Sequence, residues 1–292
     1  MASPSGSQYA LVSGDQCASV VEVGGGLRTY AVGDRDVLDG YAVDAMCTAG
    51  RGQVLAPWPN RIEDGAYAFD GRDLQLGLTE PSTRTAIHGL VRFANWTLAE
   101  RDDDRVALEH VLHPSPGYPF TLALRVEYAL SPDGLTVTTT AENLGGRTLP
   151  FGLGHHPYLR GQPLVDDLVV AVPAGAKLVS DERSLPVGHT PATLQEPRRL
   201  GETVLDTTFY ELDRDADGRA RVRVGGDIVW LDGAYGYVQL FTGDPLPDVA
   251  RHSLAVEPMT CPPNAFRSGE GLLRLEPGER FVARWGIEPA TS

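Results

Sequence analysis

Apolar residues recur at every second position through long stretches of this chain. Between residues 121 and 130, Leu122, Leu124, Val126, Tyr128 and Leu130 share one parity, while Arg125 and Glu127 hold the other. A period of two places the first set on one face of a pleated strand and the second on the opposite face. The pattern therefore predicts a half-buried β-strand. Pro132-Asp133-Gly134 follows, a fixed φ and then a residue free to take positive φ, which predicts a turn. Residues 135–141, rich in Thr and Val, predict the returning strand of an antiparallel hairpin. Further short strands are predicted at 168–172, 221–224, 237–242 and 281–287, with a small hairpin at 66–72 turning on Asp70-Gly71. No helical period survives its prolines for more than about two turns. Residues 198–204 predict one short helical turn.

So many strands with one apolar face need a second sheet to cover them. The expected fold class is all-β, a large antiparallel β-sandwich. No linker, repeat or shift in composition divides the chain, so residues 1–292 are expected to form one domain. The 33 Gly and 22 Pro make up nearly a fifth of the residues, which fits many short elements joined by turns.

The formal net charge of −14 argues against nucleic acid and anionic membrane surfaces as partners, because both need a basic face. A neutral small molecule is unaffected by this field. An anionic one would need a local Arg cluster set against it. Cys17, Cys47 and Cys261 are far apart, with no CxxC or Cys/His spacing, and are expected as small buried hydrophobes in a reducing compartment. The N-terminus has no basic or apolar leader pattern, and no run of about 18 apolar residues exists to span a bilayer. A cytoplasmic location is expected, as a monomer or homodimer.

A few residues stand out chemically. In Pro57-Trp58-Pro59-Asn60-Arg61, two prolines rigidify the chain around a Trp that offers a flat apolar platform, and Arg61 offers a fork of donors. His88 lies between Ile87 and Gly89. His155 and His156 are adjacent, so on an extended chain only one can face a given pocket, which weakens a metal reading. Pro157 marks a strand end or edge. Asp206 and Glu257 are carboxylates among apolar neighbours, the latter in what reads as an apolar-to-proline turn. On the residues alone the blander readings stay open: a core Trp58, a loop His88, a turn-capping Asp206 and a surface Glu257. There is no Gly-rich phosphate loop and no GxSxG elbow.

Taken in order, Pro59-Asn60-Arg61-Ile62, Ile87-His88-Gly89, Gly117-Tyr118-Pro119, His156-x-Tyr158, Asp206-x-x-Phe209 and Val256-Glu257-Pro258 resemble the aldose 1-epimerases, the galactose mutarotases. Each motif alone is weak, but six in order are specific, and they run through nearly the whole chain. The resemblance implies a galactose mutarotase-like supersandwich with an open cleft. It also implies an isomerase that interconverts the α and β anomers of a hexose. Glu257 matches the general base and His156 the general acid. Arg61, His88 and Asp206 match residues that hold the sugar, with Trp58, Tyr158 and Arg92 as further candidate contacts. In this reading Glu257 is ionised near neutral pH, and a neighbouring carboxylate raises the pKa of His156. No cofactor and no metal are expected, since ring opening and closure move protons and no electrons.

The chain departs from the family in two places. The more usual His-Gly-Gly is here His88-Gly89-Leu90, and the usual Asn-His-x-Tyr-Phe-Asn is here His155-His156-Pro157-Tyr158-Leu159-Arg160. His88-Gly89-Leu90-Val91-Arg92 and Glu257-Pro258-Met259-Thr260 look closer to a bacterial branch, one member of which is associated with sulfoquinovose. Related hexose-6-phosphate epimerases also carry an Arg soon after this His. Arg92 and Arg160 thereby become candidate anion contacts. A neutral hexose such as glucose or galactose is the first expectation and an anionic hexose the second. A non-catalytic sugar-binding protein, or a glycoside hydrolase using Asp206 and Glu257, are the competing readings.

Overall fold

The structure, a computed structural model, describes residues 3–161, 163–247 and 250–290. The strand Leu122–Ser131 pairs antiparallel with Gly134–Asn143, from Leu122 opposite Asn143 to Ser131 opposite Gly134. Burial alternates along Leu122–Ser131 without a break, as the period of two requires. This hairpin sits inside a nine-stranded antiparallel sheet, with Arg280–Glu288 against its second strand. The 66–72 expectation resolves as strands Ala66–Phe69 and Arg72–Gln75. Asp70 and Gly71 between them both have positive φ, the geometry of a tight two-residue hairpin.

A second, eight-stranded sheet carries, in spatial order, Pro186–Pro191, Ala174–Ser180, Asp206–Leu212, Tyr237–Phe241 and Ser253–Met259, then the short strands Gly154–His155 and Val54–Leu55, with Tyr158–Arg160 also paired to Ser253–Met259. Leu124, Val126 and Tyr128 from the first sheet and Phe209, Val238, Leu240 and Val256 from the second join in one buried cluster. The two sheets thus cover each other's apolar faces, and the fold is an all-β sandwich. A four-stranded sheet from Gln8–Ser13 to Arg35–Asp36 adds Leu11, Val20 and Tyr30 to the same cluster.

Two expectations change. Residues 198–204 form no helical turn: Arg198–Arg199 is a short strand paired with Val169 and Val170, and the chain then turns at Gly201. Pro197 just before it favours an extended chain, and the free sheet edge supplies the hydrogen bonds. Glu257 lies inside the strand Ser253–Met259, not in a turn. Pro258 is accommodated because the neighbouring chain is interrupted there: Gly154 pairs with Met259 and Tyr158 with Ala255, and His156 and Pro157 loop out between them. Among the cysteines, Cys47 and Cys261 are buried, but Cys17 is exposed.

Candidate active site

With Phe209, Val238, Leu240 and Val256 turned to the core, strand alternation sends Asp206, Thr208, Gln239, Phe241 and Glu257 to the other face of the eight-stranded sheet. A cavity of about 530 Å³ opens there, within the range of small-molecule sites. Asp206 and Glu257 line it from the sheet, and Arg61, His88, Arg92 and His156 from the loops and short strands laid over it. One wall is apolar, formed by Tyr158 with Ala49, Phe241 and Leu246.

Thr208, Gln239 and Glu257 lie side by side on three adjacent strands. The Thr208 hydroxyl donates to Gln239 Oε1, which fixes the amide so that its Nε2 donates to Asp206 Oδ1. Thr208 and Gln239 are buried and thus belong to the site as supports. Neither stands out in the sequence, because each reads as one more polar position of an alternating strand.

Asn60 and His88 are held by each other. The His88 backbone N–H donates to the Asn60 carbonyl at 2.9 Å, and the Asn60 N–H donates to His88 Nδ1 at 3.2 Å. Both residues have positive φ, which is uncommon outside glycine but which Asn and His adopt more readily than most. Gly89 is needed beside them: with φ +71, a Cβ there would sit 2.0 Å from the Ala56 carbonyl oxygen. With Nδ1 accepting, the single proton of neutral His88 is on Nε2. Burial first, then the neighbouring His156 and the positive charges of Arg92 and Arg61, hold its pKa well below the ordinary histidine value.

Arg61 gives most of its fork to a residue that does not stand out in the sequence. Its Nε and Nη2 donate to the two oxygens of Glu80 at 2.7 and 2.9 Å, and Nη1 lies 3.9 Å from Asp206. Thr83 and Thr85 also donate to Glu80. Burial opposes the charge on each partner, yet these bonds raise the pKa of Arg61 and lower that of Glu80. The pair remains ionised.

His156 stacks on Tyr158, ring centroids 4.9 Å apart, and the Tyr158 hydroxyl donates to the Ala49 carbonyl. Its Nε2 is 3.4 Å from Glu257 Oε1. At that distance the two could hold an ion pair, but burial disfavours charge on both. It lowers the His156 pKa to about 3, with Arg92 adding to the effect. It raises Glu257 well above the carboxylate range, with Asp206 adding. The expected ionisation is therefore reversed in the free protein. Burial favours the neutral form of both groups, with a shared proton on Glu257 rather than on His156. Glu257 Oε2 is buried without a hydrogen-bond partner. His155 points the opposite way, its Nε2 on Thr139 Oγ1 and its ring against Trp285.

His88, His156 and Glu257 bring one potential ligand atom each within 4.8 Å of one another, so these three are where a metal ion would be held if one bound. Trp58 is not a cavity platform. Its ring is buried edge-on to Phe266, and its N–H donates to the Ala86 carbonyl, the acceptor a buried indole needs. Arg160 is half-exposed and paired with Asp36 and Asp39, outside the cavity lining. Arg92 does line the cavity, and among the described residues no carboxylate lies within 4.0 Å of it.

The sequence signature described as Aldose 1-epimerase matches residues 7–288. The chain belongs to the aldose 1-epimerase family. It is 36% identical over 289 residues to the uncharacterized protein YihR of Escherichia coli K12, covering 94% of this chain and 91% of that protein. Among solved structures it is similar to a putative aldose 1-epimerase from Escherichia coli K12, with a TM-score of 0.81 at 23% identity over 97% of this chain and 98% of that one. It is also similar to a GalM/aldose epimerase homologue from C. elegans, with a TM-score of 0.86 at 16% identity over 98% and 99%. These structural likenesses establish a galactose mutarotase-like fold, and membership of an epimerase family places the chain among the isomerases. No described helix is long and apolar enough to cross a membrane.

Proposed function

We propose that this aldose 1-epimerase family member interconverts the α and β anomers of a neutral hexose such as glucose or galactose. In this reading Glu257 is the general base and His156 the general acid. The observation that carries it is the buried His156–Glu257 pair, 3.4 Å apart on the lining of a cavity otherwise furnished with groups that suit hydroxyls. The charges support a neutral ligand. Summed over the lining, the two arginines Arg61 and Arg92 balance the two carboxylates Glu80 and Asp206, and the His156–Glu257 pair sums to zero wherever its proton lies.

The resting pair and the reactive pair differ only in the position of one proton. A sugar hydroxyl donating to Glu257 stabilises its carboxylate, and a ring oxygen accepting from His156 stabilises the imidazolium. Substrate entry thereby draws the proton from Glu257 to His156 with none taken from solvent. Glu257 then removes the proton of the anomeric hydroxyl while His156 protonates the ring oxygen. The C1–O5 bond breaks and the C1 carbonyl forms. Rotation about C1–C2 presents the other carbonyl face, and closure runs both transfers backwards. Arg61, His88 and Asp206 hold the remaining hydroxyls so that the transfers stay aligned. Each positioned proton transfer is worth on the order of 10²–10⁴ in rate.

Polarimetry of freshly dissolved α-D-glucose and α-D-galactose tests the proposal. The native protein should speed relaxation to anomeric equilibrium, and Glu257→Gln and His156→Asn should abolish nearly all of the gain with the fold intact. Near-native turnover in either variant would remove the assigned roles. A second reading, an anionic hexose, is favoured by one observation, the guanidinium of Arg92 on the cavity lining, which among the described residues has no carboxylate within 4.0 Å. Acceleration confined to sugars bearing a phosphate or sulfonate, and lost in Arg92→Ala, would select it.

A further inference from the structure

The tip 181–185, which joins the strands Ala174–Ser180 and Pro186–Pro191, reaches across to the loop at 79–84. Asp181 Oδ1 folds the tip by accepting the N–H groups of Arg183 and Leu185, both at 2.9 Å. Arg183 then spends its whole guanidinium on the opposite side. Nε donates to the Thr83 carbonyl at 2.9 Å and Nη2 to Asp64 Oδ1 at 2.8 Å and the Arg84 carbonyl at 3.2 Å, while Nη1 donates to Glu63 Oε1 at 3.3 Å. Both tied segments line the cavity, one through Ser184 and the other through Thr79, Glu80 and Thr83. Ser184 is held at φ +57, and its hydroxyl donates to Asp206 Oδ2 at 3.2 Å.

We infer that Ser184 is a specificity-determining residue of this site and that Arg183 positions it. The inference rests on the reading that the cavity takes a sugar. Both oxygens of Asp206 already accept one bond, Oδ1 from Gln239 and Oδ2 from Ser184. A carboxylate oxygen accepts two, so each keeps one position open. The Ser184 oxygen has committed its hydrogen to Asp206 and keeps its own lone pairs. Ser184 Oγ and Asp206 Oδ2 are thus two acceptors 3.2 Å apart on the cavity lining, close to the spacing of adjacent hydroxyl oxygens on a sugar ring. Together they select two neighbouring hydroxyls that both donate. Without Ser184, Asp206 still holds one hydroxyl but no longer reads its neighbour. Among the described residues, Arg183 alone makes hydrogen bonds from the tip that carries Ser184 to the facing loop.

The test compares D-glucose, D-galactose and their 2-, 3-, 4- and 6-deoxy analogues, with binding followed by calorimetry and anomer exchange by NMR. Ser184→Gly removes the hydroxyl and suits positive φ, so it should fold at least as well as the native protein. It should raise KM for the parent sugar about three- to ten-fold with little change in kcat, and erase the penalty that the native protein shows for one deoxy position only. Arg183→Ala should raise KM at that same position, Arg183→Lys should restore part of the loss, and the double variant should be no worse than Ser184→Gly alone. Unchanged penalties at every deoxy position in Ser184→Gly overturn the inference, as does an Arg183→Ala effect confined to the unfolding midpoint. The two readings fail separately. Native protein that exchanges anomers while Ser184→Gly keeps its discrimination sinks only this inference. Native protein that binds sugars without exchanging anomers, with discrimination lost in Ser184→Gly, sinks only the proposed activity. Absence of sugar binding sinks both.

Discussion

Glu257 Oε1 lies 3.4 Å from His156 Nε2, with side chains only 3% and 5% exposed. Burial moves the two pKa values apart in the direction opposite to that of an exposed pair: His156 down to about 3, Glu257 up from its ordinary value. Between the two values the one-proton form of the pair is favoured, and in the proposed mechanism that form is the reactive one. The expected profile of kcat/KM against pH is therefore a broad plateau. Its acid limb falls below the ordinary histidine range and its alkaline limb above the ordinary carboxylate range. An acid limb near pH 6.5 would show that His156 titrates as a solvated imidazole, contrary to its burial here.

Glu80 is the partner on which Arg61 depends. The Arg61 side chain is 13% exposed, and its guanidinium gives two bonds to this carboxylate. Glu80→Ala leaves a mostly buried cation without its counter-ion, which should cost about 2 kcal/mol of stability. It also frees Arg61 to turn toward Asp206, now its nearest acid at 3.9 Å. Sugar affinity should fall with it. Glu80→Gln keeps an acceptor and should lose less on both counts. Urea unfolding and KM measured on the two variants check this, and a Glu80→Ala protein with native values for both would contradict it.

Sequence patterns revealed the elements whose two faces differ. Leu122–Ser131 alternates because one face meets the core and the other does not. They were less informative where both faces are covered. Every residue of Ser253–Met259 is buried, so Glu257 sits among apolar neighbours with no alternation to show it as a strand residue. Site residues carried by motifs were legible, but their partners were not. Glu80 meets Arg61 and Ser184 meets Asp206 only through loops that come together in three dimensions. Trp58 misled for a related reason. Its flanking prolines fix the local chain, but the direction of the ring is decided by Phe266 and the Ala86 carbonyl.

Three buried histidines make stability depend on pH. His155 and His156 have folded pKa values of about 3, and that of His88 is well below its ordinary value. Each stays neutral in the fold but binds a proton near pH 6.5 when unfolded. The stability each contributes is present above about pH 6.5 and is lost as pH falls toward the folded value. Glu257 acts in the opposite sense, because its folded pKa is raised: its contribution is present below about pH 4.5 and is lost as pH rises through the folded value. Between about pH 4.5 and 6.5 Glu257 opposes the three histidines, and because they outnumber it these groups together make stability rise with pH. Urea midpoints at three pH values in that window measure the slope. His155→Asn, which touches no cavity group, should lower that slope by up to about 1.4 kcal/mol per pH unit, the share of one histidine. An unchanged slope in that variant would contradict the burial argument.

Gly50 tests whether the placement of His156, and not merely its presence, sets the rate. Gly50 lines the cavity at φ +76, and a Cβ added there would lie 2.9 Å from His156 Cδ2. Gly50→Ala therefore carries two penalties, a left-handed backbone cost of about 1 kcal/mol and a clash that tilts the imidazole away from its 3.4 Å approach to Glu257. Gly14 separates them. It has φ +62, and a methyl group added there would meet no atom within 4 Å, so Gly14→Ala carries the backbone cost alone. Both variants should unfold a few degrees early, by about 2–4 °C for each kcal/mol in a chain of this size. Only Gly50→Ala should also lose kcat, by about ten-fold or more, since small displacements of a positioned acid are costly. Equal kcat in the two variants, measured on the same sugar well below either unfolding midpoint, would mean that His156 tolerates displacement and that its alignment with Glu257 does not limit turnover.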